Sequence, residues 1–256
     1  MKATVLVTGA AKRVGAAIAR SLAAKGCFVI LHYQHSGAEA QALARELEAA
    51  GGRIGLLQAD LFDRTQSESV IARCASQFGP VDVLVNNASS YRYDTILSAN
   101  FADWDENLRT NLEAPLFLSK AFYEGCAGRA GVIVNMLDFK VTNLNPDYFS
   151  YTVAKIGLAG ATRLLAMAFR GRVRVNGIAP GLTMRSGQQT QDQFLRAWRM
   201  TPLGYGPTPE ELGSAAAFLM ETPSVNGQVL CLDGGASLRP RQRDISVDPE
   251  ALGSPP

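Results

Sequence analysis

Residues 4–15 read Thr4-Val5-Leu6-Val7-Thr8-Gly9-Ala10-Ala11-Lys12-Arg13-Val14-Gly15. A short apolar run stops at Thr8-Gly9, and a helical pattern begins near Arg13. This is the strand, turn and helix that open a doubly wound sheet. Gly9 permits the tight turn, and Gly15 lets the helix approach the sheet closely. Amides at the helix start are then placed to hold a diphosphate. Lys12 and Arg13 stand where cations oppose the helix dipole, at about 0.3–1 kcal/mol each. Either both extend into solvent, or a bound phosphate offsets that cost.

Outward from this unit the same alternation recurs. Apolar runs fall at 3–8, 27–33, 54–59, 81–86, 131–136, 172–178 and 228–232. Helical stretches fall at about 14–25, 37–50, 64–78, 102–124, 149–169 and 209–221. Near-continuous apolar strands separated by helices predict a parallel sheet covered on both faces. Right-handed crossovers make it doubly wound. The expected fold is α/β: one seven-stranded Rossmann-type domain over 1–238. Residues 183–208, rich in Gly, Gln, Thr and Pro, read as a mobile flap over a substrate site. Residues 239–256 read as a loose tail.

Composition agrees with a single domain. The chain has 256 residues, 47% hydrophobic, with 25 Lys+Arg against 23 Asp+Glu. That excludes a disordered chain, and nucleic acid is not expected as a partner because no basic excess exists. No run approaches the ~20 apolar residues of a membrane span, and the apolar start is too short for a signal peptide. Cys27, Cys74, Cys126 and Cys231 form no CxxC pair. They read as small buried thiols of a reducing compartment, hence a cytoplasmic protein. With only two His, both within 32–35, no metal site is expected.

The end of the second strand bears on the cofactor. An NAD-specific dinucleotide fold carries an Asp or Glu there to grip the ribose. Here the stretch is His32-Tyr33-Gln34-His35-Ser36-Gly37. Ser36 is placed to donate to a phosphate, to cap the next helix, or both. His32 is either a phosphate neighbour or an ordinary sheet-end histidine. With Arg13, the set favours a 2′-phosphate and hence NADPH. Asp60 has two readings, acceptor for an adenine amino group or cap of the following helix.

Tyr151-Thr152-Val153-Ala154-Lys155 puts Tyr and Lys on one helix face. A nearby ammonium is expected to lower the phenol pKa and make it a usable acid. Asp138 lies 13 residues earlier, just past a strand end where ligand crevices open. Pro115 cannot donate to the carbonyl of Asn111. That makes either a simple kink or an acceptor for a water leading to Lys155.

Together, residues 4–19, Asn86-Asn87-Ala88, Asn111, Tyr151, Lys155 and Pro180-Gly181 resemble the short-chain dehydrogenase/reductase family over about residues 3–238. The resemblance implies Tyr151 as proton donor, Lys155 on the nicotinamide ribose and Asn111 holding a relay water. It also implies a cofactor lined by Gly9, Val14, Leu61, Asn87, Ala88, Pro180, Gly181 and Thr183. Two departures stand out. The usual turn glycine is Arg13, and the usual catalytic Ser is Asp138. These, with His32, Tyr33, Ser36 and Asn87-Ala88-Ser89-Ser90-Tyr91, are similar to pteridine reductases and their dihydromonapterin and dihydrofolate reductase relatives. That branch implies Arg13 on cofactor phosphate and His32 and Ser36 around the 2′-phosphate. It places Tyr91 stacked on a pterin, Ser89 near both ligands, and Asp138 and Tyr151 flanking the reducible ring. The expected activity is NADPH-dependent hydride transfer to a pterin or dihydrofolate C=N bond. The alternatives are a 3-oxoacyl-type carbonyl reductase and a non-catalytic NADPH-binding sensor or scaffold. A homotetramer, or at least a dimer, is expected. The small-residue row Ala154, Gly157, Ala161 and Ala168 would either let two helices approach or pack on the domain's own sheet.

Overall fold

The computed structural model describes residues 3–186 and 189–248. Seven strands form one sheet: β1 Thr4–Val7, β2 Phe28–Tyr33, β3 Arg53–Gln58, β4 Val83–Asn86, β5 Gly131–Met136, β6 Val173–Pro180 and β7 Val229–Leu232. Their spatial order is β3-β2-β1-β4-β5-β6-β7. Every pairing is parallel, as in Val5 against Val29 on one side and Val83 on the other. The order reverses between β1 and β4, so the chain leaves a crevice at the carboxyl ends of those strands.

Helices cover both faces because the strands are apolar on both. On one side α1 (Arg13–Ala24), α2 (Gly37–Ala49) and α8 (Pro209–Glu221) enclose a layer that includes Val5, Val29, Ile18 and Leu212. On the other, α3 (Arg64–Phe78), α5 (Ala114–Gly125) and α6 (Phe149–Ala168) enclose Leu6, Ile30, Leu84, Phe122 and Ile133. No helix among the described residues is long and apolar enough to cross a membrane.

Four expectations need correction. The helical stretch at 102–124 is not continuous. It comprises α4 (Phe101–Leu108), a π turn at Arg109–Glu113, and α5. In that turn the Ala114 N–H reaches back five residues to the Arg109 carbonyl. Pro115, which has no N–H to give Asn111, follows directly. The segment 183–208 holds a helix, α7 (Gln191–Arg199), started by a reciprocal capping box between Thr190 and Gln193. Helical spacing in this segment was hidden by its polar composition. Within the tail, residues 239–248 are not loose: Asp244 and Ile245 are buried, and Arg241 pairs with Asp248. The rest of that tail, 249–256, lies outside the described residues. Cys27, Cys74 and Cys126 are buried free thiols, but Cys231 is exposed, since β7 is an edge strand.

The small-residue row of α6 also serves the chain itself. Ala154 is fully buried, and a side chain at Gly157 would meet Leu112 at 3.0 Å. The outward face of α6 instead presents Ile156, Leu164 and Met167, with Phe117 exposed on α5.

Candidate active site

One cleft of about 960 Å³ opens at the carboxyl end of the sheet. Its floor is the β1–α1 turn. Gly9 has φ +61°, the left-handed region that favours glycine. At Gly15 a Cβ would collide with the Gly9 carbonyl and approach Asn87 Nδ2 at 2.6 Å. Asn87 braces the turn by donating Nδ2 to the carbonyls of Thr8 at 2.8 Å and Gly9 at 3.1 Å. Thr8 Oγ1 in turn accepts from the amides of Asn87 at 2.8 Å and Ala88 at 2.9 Å. The loop after β4 is thus clamped to the loop after β1.

Lys12 and Arg13 are occupied within the chain. Lys12 Nζ lies 3.2 Å from Glu39, an exposed pair. Arg13 Nη1 donates across the cleft to the Arg185 carbonyl at 2.8 Å. Arg13 also holds φ +56°, a conformation that costs a non-glycine residue about 1–2 kcal/mol. The side chain is retained there in spite of the backbone.

His32 is not a cationic phosphate ligand. It is 2% exposed, and its Nδ1 accepts from the Gly9 amide at 3.1 Å. Burial depresses its pKa to about 4, so the ring is neutral. Its work is to hold the Gly9 turn. Ser36 precedes α2 and lines the cleft, and its hydroxyl makes no cap hydrogen bond. Tyr33, Gln34 and His35 line the same end, and none is acidic. Asp60 does not cap α3. Asp63 does, accepting from the Gln66 amide, while Asp60 accepts from the Phe62 amide at 2.9 Å. Asp60 and Leu61 border the cleft beyond β3, as Val14 does beside the turn.

On the other half of the cleft, α6 brings Tyr151 and Lys155 to the end of β5. The Tyr151 hydroxyl donates to Asp138 Oδ2 at 2.8 Å, and Asp138 Oδ1 accepts from the Lys140 amide at 2.9 Å. Lys155 Nζ donates to the Met136 carbonyl at 2.8 Å and sits 5.5 Å from the Tyr151 ring centre. Burial lowers the Lys155 pKa to about 8, against the pull of Asp138. The expected lowering of the Tyr151 pKa is not found. Burial, then the charge of Asp138, pushes this phenol well above its ordinary value. Tyr151 is therefore a protonated donor bound to a carboxyl. Burial likewise pushes Asp138 up, opposed by the Lys140 amide and the Tyr151 hydroxyl.

Asn111 is fully buried within the π turn. It donates to the Ser90 carbonyl at 2.8 Å and the Asn107 carbonyl at 3.0 Å, and accepts from Ser89 Oγ at 2.6 Å. Asn111 is thereby linked through Ser89 to the cleft. Tyr91 stacks on Tyr148 at 4.0 Å and meets Tyr151 edge-on at 4.7 Å. Pro180, Gly181 and Thr183 form the facing wall, with Thr183 Oγ1 turned onto the Gly181 carbonyl at 2.9 Å.

Several cleft residues escaped the sequence reading, Lys140, Asp244, Ile245 and Ser246, as did Tyr148, which stacks on Tyr91 behind them. One available signal was the alternation Ile245-Ser246-Val247, two aliphatics within a charged stretch. No group of His, Cys, Asp and Glu among the described residues is placed to hold a metal ion.

Residues 9–237 match the family model described as Enoyl-(Acyl carrier protein) reductase. The chain belongs to the short-chain dehydrogenase/reductase family. Curated relatives of this family include the 3-oxoacyl-[acyl-carrier-protein] reductase FabG of Staphylococcus aureus, 31% identical over 92% of this chain and 98% of that protein. The 3beta-hydroxysteroid dehydrogenase 1 of Eggerthella lenta is also 31% identical, over 93% and 94%. Among solved structures, FolM Alternative dihydrofolate reductase 1 from Brucella suis, in complex with NADP, superposes with a TM-score of 0.90 at 36% identity. That match covers 93% of this chain and 96% of the other. The Brucella canis protein, also complexed with NADP, gives 0.87 at 36%.

Proposed function

We propose that this chain is an NADPH-dependent reductase that delivers hydride to a C=N bond of a pterin or dihydrofolate-like ring. The observation that carries the reading is the Asp138–Tyr151 hydrogen bond beneath Tyr91. A carboxyl stands where the family resemblance implies a serine. The FolM proteins named above are structurally similar to this chain at 36% identity and support the same substrate class.

The cleft fits NADPH. The Gly9–Gly15 turn leaves backbone room for a diphosphate, with Val14 beside it. The end of β2 has an uncapped Ser36 hydroxyl and no carboxylate to repel a 2′-phosphate, and Arg13 lines the same cleft and would turn its guanidinium to that phosphate. Leu61 and Asp60 would border the adenine. Asn87, Ala88, Ser89, Pro180, Gly181 and Thr183 would border the nicotinamide half. A bound nicotinamide supplies the hydride.

The chain supplies position and the proton. Lys155 has ammonium protons beyond the one given to Met136, and these would hold the nicotinamide ribose. Tyr151 and Asp138 act as one acid unit at the ring nitrogen. Tyr151 keeps its proton because burial disfavours the phenolate, and Asp138 is shifted in the direction a donor needs. Asn111 holds Ser89 and, by the resemblance, a relay water. Tyr91 offers a ring face to a flat substrate. We further propose a cytoplasmic homo-oligomer, with the apolar face of α5 and α6 as its contact.

The test is NADPH oxidation with dihydrobiopterin, dihydromonapterin, dihydrofolate and acetoacetyl thioester. At least one dihydropterin or dihydrofolate should exceed the thioester in kcat/KM by about tenfold or more. A preference for the thioester establishes the carbonyl-reductase reading instead. Tight NADPH binding with no oxidation of any of them establishes a sensor.

A further inference from the structure

We propose that residues 241–248 form a strap completing the substrate side of the cleft, and that Asp244 within it is a positioning residue for Asp138, acting through Lys140. The strap as a structural element is independent of the proposed activity. Its kinetic consequence rests on that reading.

The geometry begins at Lys140, 1% exposed in the turn after β5. Its amide donates to Asp138 Oδ1 at 2.9 Å, so where Lys140 sits decides where that carboxyl points. Its ammonium donates to Asp244 Oδ2 at 2.8 Å and Asn145 Oδ1 at 2.7 Å. A buried ammonium persists only with such partners. Asp244 is itself fixed. Its Oδ1 accepts from the amide and hydroxyl of Ser246 at 2.9 and 2.6 Å, and its amide donates to Asp147 at 2.8 Å. Asp147 also receives the Arg243 guanidinium at 2.8 and 2.9 Å. Ile245 packs against Ala197 of α7, with Leu182 and Met200 beside it. The strap therefore ties the Asp138 turn to α7. Ser246 Oγ also lies 3.2 Å from the Tyr148 hydroxyl, and Tyr148 stacks on Tyr91. Both proposed substrate-facing groups, Asp138 and Tyr91, are thus braced by the same eight residues.

A buried ion pair is a poor way merely to close a loop, because well-packed apolar residues often do as well or better. What the pair adds is charge beside a carboxyl. The titratable groups facing Asp138 are Tyr151 and Lys155 from α6, Lys140 from its own turn, Asp244 from the strap and Tyr91 from the loop after β4. Asp244 favours the protonated carboxyl and Lys140 the ionised one. Intact, the two partners act on Asp138 in opposite directions. Without Asp244 the Lys140 charge loses its buried counter-charge.

The experiment compares the full wild-type chain with Asp244→Asn, Asp244→Glu and the double variant Lys140→Met with Asp244→Leu. Amide exchange by mass spectrometry follows peptides covering 138–143 and, as internal control, 4–15. Steady-state rates follow NADPH with the best dihydropterin over a pH series. In Asp244→Asn, exchange at 138–143 should rise about tenfold or more while 4–15 stays unchanged. The kcat should fall about tenfold, with KM changed less than about threefold. The alkaline limb of the kcat profile should move to lower pH, because the unopposed Lys140 charge makes Asp138 more acidic. Asp244→Glu should restore part of kcat. The double variant keeps the buried volume without a lone charge. It should fold, lose kcat similarly, and show no downward movement of that limb. If Asp244→Asn fails to fold, the double variant decides. Wild-type exchange at 138–143 and wild-type kinetics in either folded variant overturn the proposal. If the wild type reduces no pterin, the functional reading fails, and the exchange measurement alone decides the strap.

Discussion

Replacing His32 with Asn should flatten the acid side of the stability curve. His32 is buried at the end of β2, with its Nδ1 accepting the Gly9 amide and its pKa depressed from 6.5 to about 4. In the unfolded chain the ring takes a proton near its ordinary value, and in the folded chain it resists until about 4. Between those values the unfolded state binds more protons, so stability falls as pH falls through the window. The full shift is worth about 3 kcal/mol, of which about 2 kcal/mol is lost by about pH 5. Asn can offer an acceptor near the Nδ1 position but cannot titrate. Urea unfolding of both proteins at one protein concentration, from about pH 7.5 down to about pH 5, gives the comparison. The wild type should lose about 2 kcal/mol more than His32→Asn over that range. Other shifted groups, such as Asp138, are common to both and cancel in the difference. Parallel curves would refute the reasoning, and would mean that His32 is solvated or already protonated in the fold.

Asp138→Ser should cut dihydropterin reduction about tenfold or more, within the range of a lost general acid, with NADPH affinity nearly unchanged; full retained activity would make Asp138 structural. Tyr151→Phe should lower kcat similarly, read in the same assay. Arg13→Gly removes a left-handed arginine, so apo-protein stability should rise by up to about 1 kcal/mol. Its kcat/KM should fall more for NADPH than for NADH. Gly15→Ala should weaken NADPH binding, measured by fluorescence titration, because the new Cβ cannot fit against the Gly9 carbonyl and Asn87 without moving the turn.

The sheet was legible because its strands are buried on both faces and therefore read as unbroken apolar runs. The α6 pair Tyr151 and Lys155 was legible because i and i+4 share a face. What the sequence could not convey was long range. Lys140 and Asp244 are 104 residues apart, and each alone reads as a solvated charge. For His32 the sequence left two readings open, because position along a strand does not tell whether a ring nitrogen is already engaged, as Nδ1 is with the Gly9 amide. The sign of the Tyr151 shift was missed for a related reason. Lys155 was visible as a neighbour, but the degree of burial and the direct bond to Asp138 were not. Composition misled at 239–248, where Pro and Arg suggested a free tail although Ile245 and Asp244 pack inward.

The π turn at Arg109–Glu113 works as a phase shifter. One residue in an α-helix turns the chain by about 100°, and a π turn absorbs an extra residue without breaking the rod. Before it, Asn107 gives its side-chain amide to Ser150 of α6 at 2.7 Å. After it, Leu118 and Phe122 belong to the apolar layer that includes Val70 and Ile71 of α3. A straight helix would hold one angular alignment throughout. Deleting a single residue between 109 and 113 would therefore close the π turn to an ordinary α turn and leave Phe122 on its layer, whereas a deletion in the regular turns of α5 before Phe122 would rotate that ring by about 100°. The loss would fall on Asn111, which the turn itself holds, so the rod tolerates a change of count there while the site does not.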